Sequence, residues 1–224
     1  MEYRVKKLPV KDIPKVQFAF WIIVRASLVA CIIYSIIEGN YVMMGESIAC
    51  LCFSHLWDLF QVFGGESFII EVPPLSQTML NIIIFAGIPF GSYLGLFDKV
   101  WFYDIIMHIL SGIVSAVFAY DFAFILQRKK GKCSIILASM FALMFAMSIA
   151  CGWEIYEFLM DYLHGTNLQL SSKGPETAMF NIAKYRNEYG YLGLVDTMTD
   201  MMYNTTGGII VMIFMIILRN RKKK

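Results

Sequence analysis

Six runs of mostly apolar residues, each near the length that crosses a bilayer, dominate this chain and leave few folds open to it. A spanning helix needs about 20 such residues, because only a helix closes its own backbone hydrogen bonds where water is absent. The first run, FAFWIIVRASLVACIIYSII at 18–37, meets that length despite Arg25. The others lie at 41–63, 75–97, 102–126, 133–162 and 196–218. The second is the most polar, with Glu46, His55 and Asp58, and the fifth is longer than a straight crossing, which implies tilt. Composition agrees: 16% of the 224 residues are charged and 58% hydrophobic, against about 25% charged in a soluble domain. The expected fold is all-α, a polytopic membrane helical bundle of about six transmembrane helices.

Punctuation and charge set the topology. Gly64-Gly65 and Val72-Pro73-Pro74 resist helix continuation and mark a loop. Lys6, Lys7, Lys11 and Lys15 precede the first run; Arg128, Lys129, Lys130 and Lys132 separate the fourth from the fifth; Arg219 to Lys224 closes the chain. With six crossings all three clusters fall on one face, and the positive-inside rule makes that face cytoplasmic. The expected division is a basic cytoplasmic N-terminus at 1–17, a transmembrane domain at 18–218 with an outer loop at 163–195, and a basic tail at 219–224. Because the clusters flank apolar runs, they indicate topology rather than nucleic acid. The first run is long enough to span and is followed by no small-residue cleavage site, so it reads as a helix rather than a removed signal. Cys31, Cys50, Cys52, Cys133 and Cys151 have neither zinc-finger nor thioredoxin spacing and read as small hydrophobes.

On this topology the fourth helix enters from outside through FYDIIMHILSG, with Asp104 and His108 one turn apart on one face. The fifth leaves through GWEIYEFLMD, carrying Glu154, Glu157 and Asp161 at steps of three and four. The sixth enters through DTMTDMMYNTTGG, where Asp196, Asp200 and Asn204 repeat the four-residue step. Three helices thus bring acidic faces to one membrane level. Ionisable groups in a span cost about 2.5–3.5 kcal/mol each on insertion scales, so they turn inward and pair. Lys99 is the nearest basic residue in sequence, and one lysine cannot neutralise five acids. Either carboxyls share protons or a cation is held. Carboxylates with one imidazole suit a divalent ion such as Mg, Mn, Zn or Fe better than copper(I) or an iron–sulfur cluster. The expected ligands are Asp104, His108, Glu154, Glu157, Asp196 and Asp200.

Other polar residues suggest packing. Arg25 and Asp58 project to the inner halves of their helices and are expected to pair, with His55 one turn away. Asp121 near the inner end can snorkel. Ser111-Gly112 and Gly207-Gly208 suit close helix contact. His164 lies in the outer loop, solvated or completing the site. The chain has no Gly-x-Ser-x-Gly, no P-loop and no His-Glu-x-x-His.

Val72-Pro73-Pro74, then Tyr103-Asp104-x3-His108-x2-Ser111-Gly112, Trp153-Glu154-x2-Glu157, and Asp196-Thr197-x2-Asp200 before Gly207-Gly208, occur in an order that resembles the YjdF-like inner-membrane proteins of bacteria. The likeness covers roughly residues 70–215, with a longer stretch here between Asp161 and Asp196. It implies a multi-pass bacterial plasma-membrane protein and shared polar positions at Asp104, His108, Glu154, Glu157, Asp196 and Asp200. It supplies no activity.

Three function classes follow from the residues. The first is a metal-dependent hydrolase or transferase acting on a lipid or lipid-linked substrate, with His108 or Glu157 as general base. The second is a cation or proton transporter, for which Asp58, His55 and Asp121 extend the polar set inward. The third is a non-catalytic scaffold whose acids fix helix register. The bilayer is the one partner the composition requires, and the sequence carries no signal for an oligomeric state.

Overall fold

A computed structural model describes residues 12–63, 71–129, 134–166, 168–169 and 192–221. Most of the expected outer loop lies outside the described residues. So do Gly64-Gly65, Lys130, Lys132, Cys133, most of the basic N-terminus and the end of the tail. The described chain is helical throughout, with no strand.

The helices are α1 (Lys15–Glu38), α2 (Tyr41–Ser54), α3 (Leu56–Phe63), α4 (Pro74–Phe85) continued by a π-helical segment (Ala86–Tyr93), α5 (Leu96–Lys99), α6 (Tyr103–Lys129), α7 (Ile135–His164) and α8 (Leu192–Arg221). Five stretches are long and apolar enough to cross a membrane: Lys15–Glu38, Pro74–Tyr93, Tyr103–Gln127, Ile135–His164 and Gly193–Leu218. Many large apolar side chains on them are exposed, among them Ile22, Ile23, Ile36 and Ile37. That surface would be a liability in water and is the ordinary exterior of a helix in lipid. The chain divides into two compact units, residues 1–96 with 117–138, and residues 97–116 with 139–224.

In the first unit α1 turns Trp21, Val24, Leu28, Cys31 and Ser35 inward, at alternating steps of three and four. Val24, Leu28 and Cys31 pack with Ile84 and Ile88 from α4 and its π-helical extension. Gly39, at φ +69°, ends α1 in the left-handed conformation, and Asn40 starts α2 by accepting from the Met43 N–H at 3.1 Å. Pro74 opens α4 at a position where its missing N–H costs nothing. Pro89 sits where α-helical geometry would drive its ring into the Phe85 carbonyl, and the turn widens to π instead. Tyr93 at the end of that segment shares its hydroxyl with Ser35 and Ser47, joining it to α1 and α2.

The expected span at 41–63 is not one helix. It breaks at His55, leaving α2 of 14 residues and α3 of 8. No Gly or Pro occurs in FSHLWD, residues 53–58, so the local sequence does not force the break. Gln77 of α4, itself buried, holds it open. Its Oε1 accepts from the Trp57 N–H at 2.8 Å, and its Nε2 donates to the Phe53 carbonyl at 3.3 Å. Those two backbone groups would bond each other in a continuous helix. A side-chain amide inserted into the ladder is a recognised cause of a kink. Arg25 serves the next carbonyl, donating to Ser54 O at 2.7 Å while pairing with Asp58 at 2.6 Å. The expected Arg25–Asp58 pair is therefore formed, and His55 Nδ1 joins Asp58 at 3.1 Å.

Candidate metal centre

The second unit contains the start of α6, most of α7 and all of α8. Glycines set how α6 and α8 meet. A Cβ on Gly112 would lie 1.9 Å from the Asn204 carbonyl oxygen, and one on Gly207 would lie 2.3 Å from that of Ile109. The backbones are in direct contact, as small residues permit between membrane helices. Residues 108 and 112 of α6 face 200 and 204 of α8, so the two helices run parallel in matched register. On the other side of α8, a Cβ on Gly208 would meet Leu143 and Ala146 of α7 at 3.1 and 3.2 Å. Ala142, Ala146 and Ala150 are buried along that face of α7.

This register puts His108 between two acids. Its Nε2 lies 3.5 Å from Asp104 Oδ1 and 3.6 Å from Asp200 Oδ2. One ligand atom from each of the three residues lies within 4.8 Å of the others, a group able to hold a metal ion. At these distances His108 pairs electrostatically with both acids, with Asp104 as its hydrogen-bonding neighbour on α6, and the same spacing leaves room for an ion shared among the three.

The remaining acids surround this group. Glu154, Glu157 and Asp196 are buried, and Glu154 and Asp196 are within electrostatic reach of His108. Glu157 Oε1 accepts from the Trp153 indole N–H at 2.7 Å, while its Oε2 has no hydrogen-bond partner. Both carboxyl oxygens of Glu154 are buried without a fully formed hydrogen bond, and Thr197 is the polar side chain that acts on them. Asn204 is 1% exposed, and its Oδ1 is likewise unpartnered. A buried polar atom left so costs about 1–3 kcal/mol. Protonation alone does not relieve Glu154, because a carboxyl O–H also needs an acceptor.

The five acids and one imidazole expected to converge are thus all in this unit, although among the described residues Asp104, His108 and Asp200 are the three that reach ligand spacing together. Asp161, on the same face of α7, is spent elsewhere. Its Oδ1 accepts from Thr166 Oγ1 and the Leu168 N–H at 2.7 Å each, and its Oδ2 from the Gln169 N–H at 3.0 Å. His164 ends α7 exposed. Sequence reasoning missed two contacts, the Trp153–Glu157 bond and the bond from Gln169 Nε2 to Thr197 Oγ1 at 2.9 Å. The i, i+4 spacing of Trp153 and Glu157 could have signalled the first. Nothing in sequence signals the second.

A family model described as "Predicted membrane protein (DUF2238)" matches residues 17–221, and the chain belongs to that YjdF-like membrane family. No curated protein and no solved structure matches the chain.

Proposed function

We propose, from the grouping of Asp104, His108 and Asp200 among further buried acids, that this is a metal-dependent membrane enzyme, a hydrolase or transferase acting on a lipid-type substrate. The carrying observation is that Asp104, His108 and Asp200 each bring one ligand atom within 4.8 Å of the others, with unpartnered carboxyl oxygens of Glu154 and Glu157 in the same unit. Those three residues hold a divalent ion, Mg, Mn, Zn or Fe, and the two carboxylates balance its charge where the dielectric is low. Such an ion polarises a phosphoryl or carbonyl oxygen and lowers the pKa of bound water.

The chain's other acids then divide the work. Glu154, with neither oxygen in a fully formed hydrogen bond, takes the proton of the attacking water and returns it to the leaving alkoxide. Glu157 is a second candidate base, but one of its oxygens is already engaged by Trp153. His108 is a ligand in this reading, which removes it as a base. Asp196, buried beside His108, adds negative potential that favours the cation. The three basic clusters support cytoplasmic termini and a plasma-membrane location, with α2 and α3 together making the sixth crossing. On that topology the centre lies toward the outer side.

The test is turnover in nanodiscs. The protein would be incubated with phospholipids and polyprenyl phosphates, with each metal in turn and with chelator, beside Glu154→Gln and Asp200→Asn. Metal-dependent release of a headgroup or phosphate, abolished in both variants, supports the proposal. Metal or proton flux into liposomes, without turnover and lost in Asp200→Asn, would replace it with transport.

A further inference from the structure

Three protein ligands leave three positions open on a six-coordinate ion such as Mg²⁺ or Mn²⁺, room for a fourth protein ligand as well as water. Asn204 lies one turn beyond Asp200 on the same face of α8. At this i, i+4 spacing the Asn204 and Asp200 side chains are neighbours on that face. The position of Asn204 is fixed by a backbone contact between α6 and α8, where Gly112 gives its backbone carbonyl the space a Cβ would take. It is 1% exposed, and its Oδ1 accepts no hydrogen bond.

We propose that Asn204 Oδ1 is a fourth protein ligand of the ion held by Asp104, His108 and Asp200. This rests on the metal reading above and adds both a ligand and a selectivity. An amide oxygen is a hard, neutral donor of the kind found around Mg²⁺, Ca²⁺ and Mn²⁺. Two carboxylates, one neutral imidazole and one amide form a ligand set whose charge matches that of a divalent ion, whereas a third carboxylate ligand would overbalance it. The donor set becomes three oxygens and one nitrogen, which shifts preference from Zn²⁺ toward Mn²⁺. Glu154 is thereby left outside the ligand set and available for proton transfer.

The experiment measures Mn²⁺ binding to the full-length protein in nanodiscs by titration followed with electron paramagnetic resonance, and Zn²⁺ binding by competition. Wild type is compared with Asn204→Leu and Asn204→Asp. The inference expects Asn204→Leu to lose at least about tenfold in Mn²⁺ affinity, and more in Mn²⁺ than in Zn²⁺. Asn204→Asp, which keeps an oxygen in place, should bind at least as tightly as wild type. Wild-type affinity in Asn204→Leu overturns it. Equal loss in both variants also overturns it, because that pattern assigns the role to the amide N–H. If Asn204→Leu does not fold, Asn204→Asp decides alone: binding as tight as wild type supports the ligand, and weaker binding overturns it. Absence of binding to wild type would sink the metal reading itself, a result distinct from either.

Discussion

Replacing Gln77 with leucine tests whether a single side chain makes the break in the second helical stretch. In the native protein the Gln77 amide accepts from Trp57 N–H at 2.8 Å and donates to Phe53 O at 3.3 Å. Gln77→Leu removes both bonds, and a third from Gln77 Nε2 to Asn81 Oδ1 at 3.0 Å, at similar volume. If the break persisted, two backbone groups would be orphaned at about 1–3 kcal/mol each, or about 2–6 kcal/mol together. Bonding Phe53 O to Trp57 N–H directly removes that whole cost, and residues 53–58 contain no Gly or Pro to resist it. The expected outcome is a continuous helix over 41–63. Spin labels at the exposed positions Tyr41 and Val62, in a background lacking the native cysteines, report it. A straight helix separates those backbones by about 32 Å at about 1.5 Å per residue. Wild type should show a shorter distance, and Gln77→Leu should lengthen it toward the straight value. A variant that keeps the wild-type distance and melts at the wild-type temperature would refute the reasoning.

Other perturbations follow from the same contacts. Gly112→Ala places a methyl 1.9 Å from the Asn204 carbonyl oxygen, where contact begins near 3.0 Å, so α6 and α8 must part by about 1 Å or more. Overpacking costs about 1–3 kcal/mol or more, and a lowered melting temperature with weakened metal binding is expected. Arg25→Ala bares Ser54 O and leaves Asp58 with His55 alone. Because Asp58 is a third exposed, chemical denaturation should show a loss below the about 3–5 kcal/mol of a fully buried pair. Trp153→Phe frees Glu157 Oε1 without touching the Asp104–His108–Asp200 group, so metal affinity should stay near wild type while any turnover changes its pH profile. Metal affinity should fall between about pH 8 and pH 6, since protons and the ion compete for the same ligand atoms, and titration calorimetry at the two values measures it.

Much of this was legible in sequence because a bilayer simplifies the problem. Length and apolarity alone mark α1, α6, α7 and α8, and their observed ends fall within a few residues of the apolar runs. The i, i+4 steps of Asp104–His108 and Asp196–Asp200 survive because helices fix those faces. Gly112 and Gly207 were readable as packing residues, and both sit in backbone contact. What failed to show depends on partners far away in sequence. The break at His55 needs Gln77 and Arg25, neither of which the local pattern reveals. Asp161 matched the spacing of Glu154 and Glu157, yet the backbone N–H groups of Leu168 and Gln169 claim it. Nor does periodicity say which three of six polar residues close to ligand distance; that follows from the α6–α8 register and the side-chain rotamers.

The most direct measurement is the metal content of the protein purified in detergent, beside a His108→Ala, Asp200→Ala double variant of equal monodispersity. The account predicts near-stoichiometric divalent metal in the native protein, as purified or after incubation with Mg, Mn, Zn or Fe, and its loss in the variant. No metal in either sample after incubation with all four would contradict it and return the acids around His108 to proton sharing.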